Sequence, residues 1–236
     1  MIFTEKTRII SLLFSRLLLF AFFQGLIALL LHSWTESEKY WILNATLTNI
    51  VSIILLNILL RKERTKYLSL FQLNGSQWKK DLLLFSGLAL ITIPIVIIPS
   101  YYLNIIFYGS SNYYAEVMFQ SISKPLTYFL LIAFPASIAF AELATYFGYI
   151  MPRLKTHLKS PILIVLIPAL FLSIQHCTLP LVFELNFILF RGLVYLPFAI
   201  IIGVSIYKRP SLLIYFAFFH GLLDAMTVMM LLNSTN

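Results

Sequence analysis

Thr127–Leu154 reads TYFLLIAFPASIAFAELATYFGYIMPRL, an apolar run that continues through Ala141–Leu154 without a turn signal and carries one acid, Glu142, deep inside it. A stretch this long and this apolar is a membrane helix, since about 20 residues cross the hydrocarbon core. A carboxylate inside such a helix costs a few kcal/mol even on the mildest insertion scale, so it marks a candidate functional site whose partners the rest of the chain must supply.

Working outward from this stretch, composition sets the solvent. The 236 residues are 60% hydrophobic and 11% charged, with a mean hydropathy of +0.91, which excludes a soluble domain. Apolar length marks seven spans, at 9–32, 41–60, 82–103, 126–150, 161–178, 187–206 and 211–232. The expected fold is an all-α polytopic bundle of about seven transmembrane helices forming one integral membrane domain over 1–236. The first run is too long, and too poor in small residues at its end, for a removable signal peptide, so a retained helix is expected.

The formal charge of +8 is not gathered on an arm or on one helix face, which argues against nucleic acid as a partner. Basic residues sit between apolar runs: RKERTKYLSLFQLNGSQWKK (61–80) is rich in Lys and Arg, whereas HSWTESEK (32–39) and CTLPLVFELN (177–186) carry mainly acids. By the positive-inside rule, the N-terminus, 61–80, 151–160 and the Tyr207–Pro210 turn face the cytoplasm, and the C-terminus lies outside. One cysteine, Cys177, excludes an internal disulfide framework. No zinc-ligand spacing, internal repeat or low-complexity segment is present.

Six ionisable residues fall within the spans: Arg16, Glu142, His176, Arg191, His220 and Asp224. His220 and Asp224 are four apart and project from one helix face, able to act on one ligand. Glu142 shares its face with Tyr146 and Tyr149, two hydroxyls able to bond a carboxylate or a substrate. His176, in LSIQHCTLPL, ends its span before a proline-bearing loop. Each residue also has a plainer use. A membrane histidine commonly bonds across a helix interface, and an i, i+4 His/Asp pair also serves as helix glue. Arg16 and Arg191 read as structural or lipid-facing anchors. His32 and His157 fall at span ends and read as solvated. Neighbouring helical residues point about 100° apart, which argues against a Cys177/His176 dyad. The conjunction of Glu142, His176, His220 and Asp224 stands out from these uses.

The order of an acid before GYIMPRL, then QHCTLPL, then SLLIYFAFFHGLLDAM resembles the CPBP family, the CAAX-protease and bacteriocin-processing membrane proteins also called Abi proteins. The resemblance covers about 125–232. The family pattern is Glu-Glu-x3-Arg, then Phe-x3-His, then His-x3-Asn/Asp. Glu142 stands at the first glutamate, His176 at the second-motif histidine, and His220 with Asp224 at the third motif. Leu143 stands where the second glutamate would be, Phe147 where the arginine would be, and Leu172 where the phenylalanine would be.

The resemblance implies a metal-independent enzyme of a bacterial cell membrane that needs no cofactor, with Glu142 and His176 taking a proton and His220 and Asp224 stabilising an oxyanion or orienting the donor. A carboxylate in a low-dielectric pocket suits general-base work, and fixed donors act most strongly where water is scarce. The reaction it implies is peptide hydrolysis on a membrane-anchored peptide, or acyl transfer to an amine, as in the branch serving lipoprotein N-acylation in staphylococci. Loss of the second acid and the arginine favours the non-proteolytic branch. The alternatives are a bacteriocin-immunity or partner-binding protein, which would need only the fold and a membrane protein partner, and a proton-linked transporter, which would ordinarily show repeat symmetry that this chain lacks. Glu142 and His220 are expected near mid-membrane, with His176 and Asp224 further toward the outer surface.

Overall fold

A computed structural model describes residues 4–234 and is built of helices, with no strand among the described residues. The helices are α1 (Glu5–Leu31), α2 (Trp34–Glu38), α3 (Trp41–Lys62), α4 (Trp78–Tyr108), α5 (Tyr113–Met118), α6 (Lys124–Leu143), α7 (Met151–His157), α8 (Pro161–Gln175), α9 (Leu185–Val194), α10 (Leu196–Lys208) and α11 (Leu213–Ser234). Among the described residues, seven helical segments are long and apolar enough to cross a membrane: 5–31, 41–62, 78–108, 124–157, 161–178, 185–208 and 210–233. The fold is therefore the expected all-α membrane bundle.

Local chemistry fixes the helix ends. Thr4, Ser33 and Ser160 accept backbone N–H bonds from Thr7, Glu36 and Leu163 and so cap α1, α2 and α8. His32 closes α1 in the left-handed region with φ 53, and its N–H reaches back to Ala28 and Leu29. Two spans are interrupted in mid-course. The sixth breaks at Tyr195 into α9 and α10, because Pro197 has no N–H and its ring crowds the preceding turn. The fourth passes from α6 through a π-helical stretch, Ala144–Ile150, into α7. That wider i→i+5 winding moves side chains off the face a 3.6-residue period predicts.

Lipid tails give apolar helices no reason to associate, so close backbone approach and interhelical hydrogen bonds do that work. On α11, a Cβ added at Gly221 would stand 2.9 Å from the Pro135 carbonyl oxygen of α6. On α10, a Cβ at Gly203 would stand 2.9 Å from the Phe147 ring and 3.0 Å from Val165 of α8. Asn49 of α3 bonds Ser137 of α6 at 3.1 Å. By contrast, only Asp81, Ala89, Thr92 and Asn104 of α4 are buried, and the helix lies along the outside of the bundle.

The loops sort into two ends. At one, Glu63 pairs with Arg8 and Arg153, Arg209 pairs with Asp81, and His157 approaches Glu5 at 3.5 Å. At the other, the Leu181 carbonyl accepts from Gln24 and from Trp34, and Tyr113 donates to Glu184.

Candidate active site

The sequence LSIQHC ends α8 with Gln175 and opens a 3-10 turn at His176. α6 brings Glu142 to the same level, 2% exposed, where its Oε2 accepts from Gln175 Nε2 at 2.6 Å. The rise per residue that sets His176 further out than Glu142 therefore leaves no gap at Gln175, the residue before it. On α11, one helical turn places His220 and Asp224 in line: His220 Nδ1 lies 3.5 Å from Glu142 Oε1, and its Nε2 lies 3.3 Å from Asp224 Oδ2. Glu142 Oε1, His220 Nδ1 and Asp224 Oδ2 are buried and form no hydrogen bond of good geometry among the described residues. They are loosely apposed donors and acceptors, able to engage a third group. Side-chain exposure climbs along this line, from 3% at Glu142 through 14% at His220 to 18% at Asp224.

His176 is held separately. Its Nδ1 lies 2.8 Å from the Leu172 carbonyl oxygen, which can only accept, so Nδ1 carries the hydrogen and Nε2 keeps the lone pair in the neutral ring. The ring stacks on Tyr195 with centroids 4.1 Å apart. No hydrogen bond or ion pair joins His176 to Glu142, His220 or Asp224 among the described residues, although it stays within electrostatic reach of Glu142. Arg191 fixes the turn that carries it: Nε donates to the His176 carbonyl at 3.1 Å, Nη2 to the Leu179 carbonyl, and Nη1 to the Tyr114 and Tyr195 hydroxyls at 2.5 and 2.9 Å. The expected anchor role of Arg191 thus takes the buried, structural form rather than the lipid-facing one.

The two tyrosines expected beside Glu142 go elsewhere. Tyr146 is buried and donates to Gln175 Oε1 at 3.2 Å, one side chain removed from the carboxylate. Tyr149 donates to Glu63 at 2.6 Å and lies under the Arg153 guanidinium, in the ion cluster at the basic end. The π-helical winding that begins at Ala144 carries it off the Glu142 face. As a group lining the Glu142 cluster, Tyr149 is therefore corrected to a member of that end cluster.

Arg16 is the residue the sequence reading undervalued. It is fully buried, with Nε donating to Gln175 Oε1 at 2.7 Å, Nη1 to Ser52 at 3.2 Å and Nη2 to Asn49 at 2.9 Å. Its Nη2 also lies 3.6 Å from Glu142 Oε2. The available signal was an arginine in the middle of a 27-residue apolar helix, where a charge must find a partner inside the bundle. Phe147, at the position where the family pattern has arginine, is 1% exposed and packed against Gly203, so no cation enters from there.

Among the described residues, no His, Cys, Asp and Glu side chains are gathered as a metal-ligand set. Comparison of the chain with protein-family models, with curated proteins and with solved structures finds no match. The site is a buried carboxylate with one oxygen engaged by an amide and a guanidinium, and the other turned to an imidazole backed by a second carboxylate.

Proposed function

We propose that this chain is a CPBP-like intramembrane enzyme of the bacterial cell membrane, with the N-terminus cytoplasmic and the C-terminus outside, acting on a membrane-anchored, lipid-modified peptide or lipoprotein. The observation that carries this reading is the line Glu142–His220–Asp224, whose facing atoms lie 3.5 and 3.3 Å apart, with no hydrogen bond at Glu142 Oε1 or Asp224 Oδ2 among the described residues. Glu142 Oε1 is the general base. It takes the proton of a nucleophile as that nucleophile adds to a carbonyl carbon, and the proton returns to the group that leaves. In acyl transfer the nucleophile is a substrate amine, whose nitrogen gains the acyl group while an ester oxygen departs protonated. In hydrolysis it is water, and the departing group is an amine. His220 reaches Glu142 with one ring nitrogen and Asp224 with the other. As an imidazolium it donates at both ends, so it can stabilise a developing oxyanion while Asp224 holds its orientation. His176, with its lone pair on Nε2, supplies a second acceptor beside the same turn.

Mass spectrometry of membrane lipopeptides from cells carrying the wild type or Glu142→Gln tests this. The wild type should either add an acyl mass or shorten a peptide, and the Glu142→Gln protein that accumulates should do neither, because the change keeps the shape and removes the base; the Arg16 guanidinium that loses its anion stays bonded to Gln175, Asn49 and Ser52. Identical lipopeptides in both strains would defeat the reading. A non-enzymatic partner-binding or immunity role is favoured by one observation, the buried Arg16–Glu142 pair at 3.6 Å, which stitches α1 to α6. In that case Glu142→Gln should leave the lipopeptides unaltered.

A further inference from the structure

We infer that Arg16, on the N-terminal helix, is a positioning residue that divides the Glu142 carboxylate into one fixed oxygen and one working oxygen, and that the active unit therefore extends into α1 and α3. This rests on the enzymatic reading of Glu142 for its consequence, but its geometry stands alone. Gln175 has one amide oxygen and one amide nitrogen, and which of them faces Glu142 is decided by its other partners. Arg16 Nε, at 2.7 Å, and the Tyr146 hydroxyl, at 3.2 Å, both point donors at Oε1 of Gln175. A guanidinium N–H has no accepting capacity, so the Gln175 oxygen must lie on the Arg16 side. Its Nε2 is thereby turned to Glu142 Oε2, which it meets at 2.6 Å.

The same guanidinium stands 3.6 Å from that oxygen, so Oε2 carries both the hydrogen bond and the nearest cation. Oε1 is left facing His220. Arg16 holds this pose because Asn49 and Ser52 of α3 take its two terminal nitrogens at 2.9 and 3.2 Å. Asn49 can accept from Arg16 through its oxygen because its own Nδ2 is directed to Ser137 of α6. Three helices thus fix the rotamer of one arginine, and through Gln175 that arginine fixes which oxygen of the acid is presented. A lysine would supply the charge but, as a single nitrogen on a flexible stem, could not serve Gln175, Asn49 and Ser52 from the same pose.

The test uses the full-length protein in membranes and a membrane-soluble carbodiimide, N,N′-dicyclohexylcarbodiimide, which adds to protonated carboxyls. Labelling at Glu142 is read by peptide mapping, and lipopeptide turnover is followed in parallel. An opposite charge within about 4–6 Å changes the proton occupancy of a carboxyl about ten-fold or more. Arg16→Met should therefore raise Glu142 labelling at neutral pH about ten-fold over wild type. Arg16→Lys should keep labelling near the wild-type level yet reduce turnover, because it retains the charge and loses the fork. A residue that merely packs α1 against its neighbours would move neither labelling ratio. Should Arg16→Met fail to accumulate, the pair Asn49→Ala with Ser52→Ala releases the guanidinium and should also raise labelling. Labelling of Glu142 that is the same in wild type and in the accumulating variants overturns the inference. If labelling changes as expected but not even Glu142→Gln alters the lipopeptides, the positioning by Arg16 stands and the enzymatic reading falls.

Discussion

At the residue scale, the informative contrast is between what one helix can encode and what only three can. The His220/Asp224 pair was legible because both residues lie on α11 and a four-residue step brings their side chains together. Glu142 was legible because a lone acid in an apolar run has no cheap explanation. The parts played by Arg16 and Gln175 were not, because each depends on partners 159 and 33 residues away in the chain, and no periodicity reports such separations. Phe147 shows the converse. The sequence marks it as a departure from the family pattern, and the structure gives the reason it cannot simply be reverted: its ring fills the space opposite Gly203 and Val165. Phe147→Arg should bury an unpaired guanidinium there at a cost of about 3 kcal/mol. The expected outcome is a lower yield of monodisperse protein in detergent and no gain of proteolysis. A variant as abundant and stable as wild type would show that the arginine finds a partner.

At the element scale, the seven spans were legible from apolar length, and the break at Tyr195 follows from Pro197, which the sequence shows. The π-helical winding of Ala144–Ile150 carries no such local signal. It decides that Tyr149 leaves the Glu142 face. The α6/α11 contact matters most, because it sets the distance between Glu142 and His220. Gly221 allows that contact, since a Cβ there would stand 2.9 Å from the Pro135 carbonyl oxygen and 3.2 Å from the Ala139 Cβ. Backbone does not yield as a flexible side chain would, so Gly221→Ala should push α11 outward. The expected loss of stability is about 1–3 kcal/mol by thermal unfolding. Lipopeptide conversion should fall further than stability, since His220 neighbours the displaced residue. Conversion at the wild-type level would mean that the 3.5 Å approach is not used.

The short connecting helix α2 carries a separate titration. Burial pushes the Glu38 carboxyl up from its ordinary 4.5 to about 7. Between these values the folded chain keeps a proton that the unfolded chain has released. Its contribution to stability is therefore full below about 4.5 and is lost as pH rises toward 7. Glu38→Gln should flatten that part of the thermal-stability profile in detergent. Parallel profiles for the two proteins would place the pH dependence elsewhere.

At the scale of the whole molecule, charge and depth bear on which side the site serves. Of the 17 Lys and Arg, Arg16 and Arg191 lie within spans and Lys39 and Lys124 fall at the acid-bearing end, which leaves the other thirteen at the end held by Glu63 and Asp81. That asymmetry predicts a cytoplasmic face for the basic end. Taking α11 from Leu213, His220 lies about 10 Å along the helix from the basic end and Asp224 about 16 Å. Exposure rises in the same direction, from 14% to 18%, so the pair is more open at Asp224, away from the basic end, as an exported lipopeptide substrate would require. Two exposed positions separate the faces. Phe183 is 76% exposed at the acid-bearing end, and Leu73 is 59% exposed at the basic end. Cys177 is first replaced by serine, whose hydroxyl can keep the bond that the thiol makes to the Ile188 carbonyl. In that background, Phe183→Cys should react with a membrane-impermeant thiol reagent added to intact cells, and Leu73→Cys should react only after permeabilisation. The reverse pattern would invert the molecule in its membrane and turn the more exposed Asp224 end of the pair toward cytoplasmic substrates.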